Sequence, residues 1–182
     1  MKPRVYTIGH SSRLMAELTQ LLKAKGVDLV VDVRRFPRSR RHPRFNIETL
    51  PAALAADQIG YRHLEALGGR RRRSLAADAS PNTGWREEGF RNYADYAMTA
   101  PFQVALDVVI AMAEARTSAI MCAEALWWQC HRRIISDYLL VRGIDVIHIL
   151  GSGETQPAAL TQGAEPQADG TVHYPPAQPR LL

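Results

Sequence analysis

Apolar positions fall in short runs separated by helical faces. Val5 to Ile8 reads as a first strand; after Gly9-His10-Ser11-Ser12, Leu14, Leu18, Leu21 and Leu22 recur on one helical face that ends at Gly26. Leu29 to Val33 is a continuous apolar run closing on Asp32-Val33-Arg34, the pattern of a strand buried on both faces, as parallel sheets require. These three elements predict a βαβ unit, whose crossover is right-handed in nearly all proteins. Pro37 and Pro43 then exclude regular structure until Asn46 offers an N-cap for a helix through about Gln58. Tyr61-Arg62-His63 reads as a short third strand, and Gly68-Gly69 breaks the chain. No periodicity runs from Ala76 to Gly89. Phe90, Tyr93 and Ala97 begin helical spacing, which Phe102 through Ala115 continue, with Pro101 acceptable near a new helix start. A strand over Ser118 to Cys122, a helix from about Cys130 to Arg142 closed by Gly143, and a strand over Val146 to Ile149 complete the series. The alternation predicts an α/β class: a single three-layer domain over residues 1–150 with a mainly parallel, Rossmann-like open sheet of about five strands. Residues 151–182 turn to Gly, Pro, Gln, Thr and Ala, a composition that buries little apolar area, so the segment is expected as a tail, partly mobile or docked through Val172 to Tyr174.

A chain of 182 residues, 46% hydrophobic, can bury one substantial core. The longest apolar runs, Leu29 to Val33 and Val104 to Met112, fall short of a bilayer span, and Met1-Lys2-Pro3-Arg4 leads into a strand rather than a signal-peptide apolar region. The expectation is a soluble, cytoplasmic protein with no membrane partner. Two cysteines do not make a secreted disulfide framework and read as thiols in a reducing compartment, a transient redox disulfide staying open.

Charge changes the picture. The net charge is +5, and the basic residues are grouped arginines: Arg34, Arg35, Arg38, Arg40, Arg41 and Arg44, then Arg70 to Arg73. The guanidinium fork suits phosphate and carboxylate, so the expected partner is an anionic small molecule or a nucleic acid. A merely solvated electropositive loop explains the same runs almost equally well, and a homodimer stays open.

The densest chemistry is Cys122-Ala123-Glu124-Ala125-Leu126-Trp127-Trp128-Gln129-Cys130-His131-Arg132, which joins a predicted strand to a predicted helix. In open parallel sheets ligands bind beyond the carboxyl ends of the strands. The residues there are His10, Ser11 and Ser12, Arg34 and Arg35, Cys122 and Glu124, and His148 near the last strand. Free backbone N–H groups after Gly9-His10-Ser11 would accept an anion, with Arg34 or Arg132 as a clamp; a plain helix cap by Ser11 or Ser12 is the competing reading. Cys130, beside His131 and Arg132 near a helix start, has a nucleophile's surroundings. Two thiols with His131 or His10 also fit zinc, although the seven-residue gap is unlike a structural knuckle, and no metal is assigned. Cys122 reads equally as a small core hydrophobe. Glu124 is a candidate general acid/base or one half of an ion pair with Arg132. Trp127 and Trp128 offer a stacking face or simple packing. No Cx₅R loop, Walker A, GxGxxG or HExxH motif occurs, and the cofactor stays unknown.

In combination, Tyr6-Thr7-Ile8-Gly9-His10-Ser11, Val31-Asp32-Val33-Arg34 with Pro37 and Ser39, Gly60-Tyr61 with Leu67-Gly68-Gly69, Phe90 with Tyr93 and Met98, and Cys122-Ala123-Glu124 with Cys130-His131-Arg132 resemble the bacterial and archaeal domain of unknown function 488 family over residues 4 to about 150. The resemblance implies a compact α/β domain and supports the site positions; it carries over no reaction. The Leu126-Trp127-Trp128 insert departs from the family's usual short polar or Pro-containing turn. Two readings follow. In the first, an enzyme acts on a phosphate-bearing or nucleotide-like substrate, with Cys122, Glu124, Cys130 and His131 as chemistry, either as a thiol nucleophile with an acid/base partner in a hydrolase or transferase or as a redox pair, and His10, Ser11, Arg34, Arg38, Ser39 and Arg132 as binding residues. In the second, a nucleic-acid-binding module uses the arginine loops. A metal-binding regulatory protein is a third.

Overall fold

The computed structural model of the chain describes residues 2–74 and 79–177. Five strands run parallel: β1 (Arg4–Gly9), β2 (Leu29–Asp32), β3 (Gly60–His63), β4 (Ser118–Cys122) and β5 (Asp145–Ile149). A sixth, β6 (Thr155–Pro157), pairs antiparallel with β5, and the sheet order is β3-β2-β4-β1-β5-β6. The period-two alternation of strand side chains sorts the core into two layers. Ile8, Val30, Ala119 and Met121 meet Leu18 and Leu22 of α1 (Met15–Lys23) and Leu50 and Leu54 of α2 (Leu50–Ala56). On the opposite face Val5, Val31, Ile120 and Val146 meet α3 (Glu88–Ala97), α4 (Ala100–Ala115) and α5 (Arg132–Val141) through Tyr93, Phe102, Leu106, Ile135 and Tyr138. The α/β class and the mainly parallel sheet expected from the alternation are the observed ones.

One topological fact positions the site. The β1–α1–β2 crossover leaves a gap that β4 fills, with Gly9 level with Cys122 and Met121 level with Asp32. Residues far apart in sequence therefore emerge side by side from β2, β4 and β1.

One sequence expectation is corrected. The helix anticipated from Asn46 starts at Leu50 and ends at Ala56. The Asn46 side-chain oxygen accepts from the Ser39 N–H at 2.6 Å and so folds the preceding arginine loop, while Pro51 sits in the helix's first turn. The sheet gains its sixth strand from the segment beyond residue 150, whose β7 (Glu165–Pro166) and β8 (Val172–His173) form a separate two-stranded pair. Parts of the aperiodic stretch (76–78) and of that segment (178–182) lie outside the described residues.

Val172 and Tyr174 are buried, and Tyr174 holds this segment down: its hydroxyl donates to Asp137 of α5 at 2.9 Å and its N–H to the Asn82 side chain at 3.0 Å. Burial raises Asp137 above the usual carboxyl value and Tyr174 well above the usual phenol. Tyr174→Phe is expected to leave a buried Asp137 oxygen unpaired and to lower stability by about 1–3 kcal/mol. Urea unfolding checks this; an unchanged midpoint would show that the hydrogen bond adds nothing.

Among the described residues no single helix is long and apolar enough to cross a membrane. Only α3 and α4 together reach that length, bent by 77°, and their apolar residues Tyr93, Phe102 and Leu106 are buried in the core.

Candidate functional site

Pairing continues past the end of β1. The His10 N–H donates to the Cys122 carbonyl and the Ser11 N–H to the Ala123 carbonyl, both at 2.9 Å. These are the groups expected to hold an anion, and they are occupied. Three residues separate Ser11 from the first residue of α1, and the Leu14 N–H at the helix entry is taken by Glu17 at 2.7 Å. Ser11, at φ 50°, does not line the cavity described below. Gly9 makes the crossing geometry possible, since a Cβ there would lie 1.8 Å from the Glu124 carbonyl oxygen.

Cys122, at the end of β4, and Cys130, just before α5, meet at one imidazole. His131 Nδ1 lies 3.8 Å from the Cys122 sulfur and 3.6 Å from the Cys130 sulfur. His131 Nε2 lies 2.8 Å from the Val33 carbonyl oxygen; a carbonyl only accepts, so Nε2 is the donor and the ring is held with Nδ1 turned to both thiols. Gly69 backs this ring so closely that a Cβ would stand 2.8 Å from Nδ1, and Tyr93 packs against it with centroids 5.1 Å apart.

Arg132 lies beneath the cluster, 1% exposed, and lines no part of the cavity. It donates to the Cys130 sulfur at 3.4 Å, to Thr7 at 3.4 Å and to the Glu124 carbonyl at 2.5 Å, and no carboxylate pairs with it among the described residues. A buried guanidinium needs an anion, and the Cys130 sulfur is the group in contact that can supply one. Burial alone would push the Cys130 thiol up; the Cys122 S–H, His131 and Arg132 instead hold it well below the ordinary thiol value. Its hydrogen bond to Cys130, then burial, raise Cys122. Of the two, Cys130 is the one whose thiolate the surroundings favour.

Above the cluster opens a cavity of about 440 Å³, within the usual range for a small-molecule site. His10, Arg34, Arg38, Ser39, Cys122, Glu124, Cys130 and His131 line it, together with residues the sequence reading had not placed there: Arg70, Phe36, His42, Gly69, Glu87, Phe90, Tyr93 and Gln129. Arg35, singled out earlier only by its place after a strand, lines it too.

Arg34 is committed elsewhere. Its guanidinium donates to both Asp32 oxygens, at 2.9 and 2.6 Å, and to the Phe45 carbonyl at 2.7 Å. It also reaches His10 Nε2 at 3.2 Å, and because His10 Nδ1 faces the Ser11 carbonyl, that Nε2 is the acceptor. Burial pulls His10 down to about 4, so the ring stays neutral. The cationic wall is therefore Arg35, Arg38 and Arg70. Arg38 is exposed and shares its charge with Glu48; Arg35 has a buried Nε without a partner among the described residues. Arg44 and Arg71 are structural, bonded to backbone carbonyls at Ser12 and Arg13 and at Glu65 and Gly68.

His148 stands apart from the cavity. Its Nδ1 lies 2.8 Å from the Thr7 hydroxyl, and its ring stacks on Trp127 at 4.2 Å. Trp127 thus packs the insert down, while Trp128 stays exposed. The carboxylate of Glu124 is exposed at the cavity wall, and its ion pair with Arg132 does not form, since Arg132 takes its carbonyl instead.

Fold and site together define a doubly wound α/β protein with a two-thiol, one-imidazole cluster at the carboxyl ends of its central strands. The family model described as "Domain of unknown function DUF488" matches residues 15–139, and the chain belongs to that family. Comparison with curated proteins and with solved structures gives no match.

Proposed function

We propose that this protein is an enzyme acting on a phosphate-bearing, nucleotide-like substrate, with Cys122, Cys130 and His131 as the reactive centre and Glu124 as acid/base. The observation that carries the reading is the joint lining of one cavity by both thiols, the imidazole, a free carboxylate and Arg35, Arg38 and Arg70. Phe36, 60% exposed, and Phe90 give the same cavity aromatic faces for a base. Arginine forks at the wall hold phosphate, and perturbed thiols in a cleft mark a reactive site.

The test is calorimetric titration with nucleoside mono- and diphosphates, followed by turnover assays over the same panel. Arg35→Ala and Arg70→Ala are each expected to weaken binding about tenfold, the loss of roughly one charged hydrogen bond. Cys130→Ser is expected to lower turnover at least about 100-fold with binding retained. A folded Cys130→Ser protein that turns over at the wild-type rate would remove Cys130 from the reactive centre, and wild-type protein that turns over nothing on the panel would remove the enzyme reading.

A nucleic-acid reading keeps one supporting observation: Arg40, Arg41, Arg72 and Arg73 are exposed. Under it, single-stranded nucleic acid binds with a steep salt dependence that a fourfold alanine variant flattens, and Cys130→Ser changes nothing.

A further inference from the structure

Resting on the reading that this cluster is the reactive centre, we propose that Cys122, Cys130 and His131 bind one zinc-type divalent cation whose fourth ligand position faces the cavity. The two sulfurs and His131 Nδ1 all lie within 4.8 Å of one another, with S–N separations of 3.8 and 3.6 Å. A tetrahedral zinc with Zn–S near 2.3 Å and Zn–N near 2.0 Å holds its sulfur and nitrogen ligands about 3.5 Å apart. The donor atoms already stand at nearly that separation.

The surroundings are those of ligands. The Val33 carbonyl fixes the His131 tautomer with Nδ1 turned to the sulfurs, the usual outer hydrogen bond of a ligating imidazole. Arg132, buried without a carboxylate, donates to the Cys130 sulfur and matches a ligating thiolate. Two thiolates and a dication are neutral together, which suits a buried centre.

Three ligands rather than four identify the chemistry. Structural zinc sites close with four protein ligands, whereas catalytic ones leave a position for water. Among the described residues only these three side chains converge, and the cavity beside them carries Glu124. The reaction class this assigns is hydrolysis. Water at the fourth position gives a proton to Glu124 and its oxygen bonds to an electrophilic carbon or phosphorus of the substrate. The bond to the leaving group breaks with its electron pair, and Glu124 returns the proton to that group. Water is divided between two products, and nothing is oxidised or reduced.

The deciding experiment uses the full chain, purified reduced and without an affinity tag. Zinc content is measured by elemental mass spectrometry, and the metal-stripped protein is titrated with Co²⁺. About one equivalent of zinc is expected, with sulfur-to-cobalt charge-transfer bands and the intense d–d absorption of a tetrahedral site. Cys122→Ser, Cys130→Ser and His131→Gln should each weaken Co²⁺ binding by about 100-fold or more, beyond the usual effect of an outer partner. Wild-type protein that is folded by circular dichroism yet shows neither zinc nor the charge-transfer bands overturns the proposal, whatever the variants do. So do wild-type bands in all three variants. A metal-free protein whose turnover still depends on Cys130 removes this inference and leaves the enzyme reading; a metal-loaded protein that binds no nucleoside phosphate does the reverse.

Discussion

Asp32→Ala is expected to lower the unfolding free energy by about 3–5 kcal/mol, the usual consequence of removing one partner of a buried ion pair. Asp32 is fully buried at the end of β2 and accepts four hydrogen bonds: from the Arg34 N–H at 3.0 Å, from Arg34 Nε and Nη2, and from the Tyr61 hydroxyl at 2.7 Å. Arg34 is itself only 6% exposed, so its charge cannot turn to water when the carboxylate goes. Burial, the largest cause raising the Tyr61 phenol above its ordinary value, remains when Asp32 is removed, so Tyr61 stays neutral and cannot replace the lost anion. The damage reaches the site through Arg34, which also anchors the cavity-lining His10. Denaturant unfolding of Asp32→Ala and Arg34→Met, singly and together, checks the argument. The double variant should be more stable than the sum of its parts, because neither buried charge is then left alone. A single-variant loss under about 1 kcal/mol would mean that the pair is not desolvated as described.

That network also marks where the sequence was legible and where it was not. The strands were visible because continuous apolar runs such as Leu29 to Val33 belong to strands covered on both faces. The convergence of His10, Arg34 and Cys122 followed from one rule about strand ends, and the register supplies it. What the sequence did not disclose were the partners of each charge. Arg34 and Arg132 read as anion clamps because a sequence displays guanidinium groups and conceals what they already hold. A signal for Arg34 was present: residues two apart in extended backbone share a face, and the backbone past Asp32 still pairs through the Val33 N–H to the Met121 carbonyl. Arg132 offered no such signal, since its partners Thr7 and the Glu124 carbonyl are fixed by the fold. Asn46 was misread as a helix cap because a side-chain oxygen that can cap a helix can equally close a loop, and here it holds Ser39. Gly69 read as a breaker; its place against His131 is a matter of space that only the folded chain defines.

Stability is expected to fall steeply below neutral pH because two histidines are buried without charge. Burial lowers His10 to about 4, with the nearby Arg34 charge adding to the shift and the Ser11 carbonyl opposing it; burial and then the Arg132 charge lower His148 to about 4. Arg34, Asp32 and His42 are the charged or titratable groups acting on His10, and Arg132 is the one acting on His148, whose Nε2 has no partner among the described residues. In the unfolded chain both rings titrate near 6.5. Between pH 6.5 and 4 the unfolded state therefore binds more protons than the folded one, and stability rises with pH across that window. The full contribution is present above about 6.5, and about 3 kcal/mol per histidine is lost by the time pH reaches 4. Asp137 acts in the opposite direction, since its raised value favours the folded state as pH falls, and it moderates the lower end of the curve. Denaturant unfolding from pH 7.5 to 4.5 should show a slope approaching two protons. His148→Gln, which can keep the Thr7 hydrogen bond while removing the titration, should reduce that slope to about one. The same slope in the variant, or a His10 or His148 resonance titrating near 6.5 in the native protein, would place the pH sensitivity elsewhere. Since His10 lines the cavity and His148 does not, the His148 variant separates this stability effect from any effect of pH on the reactive centre.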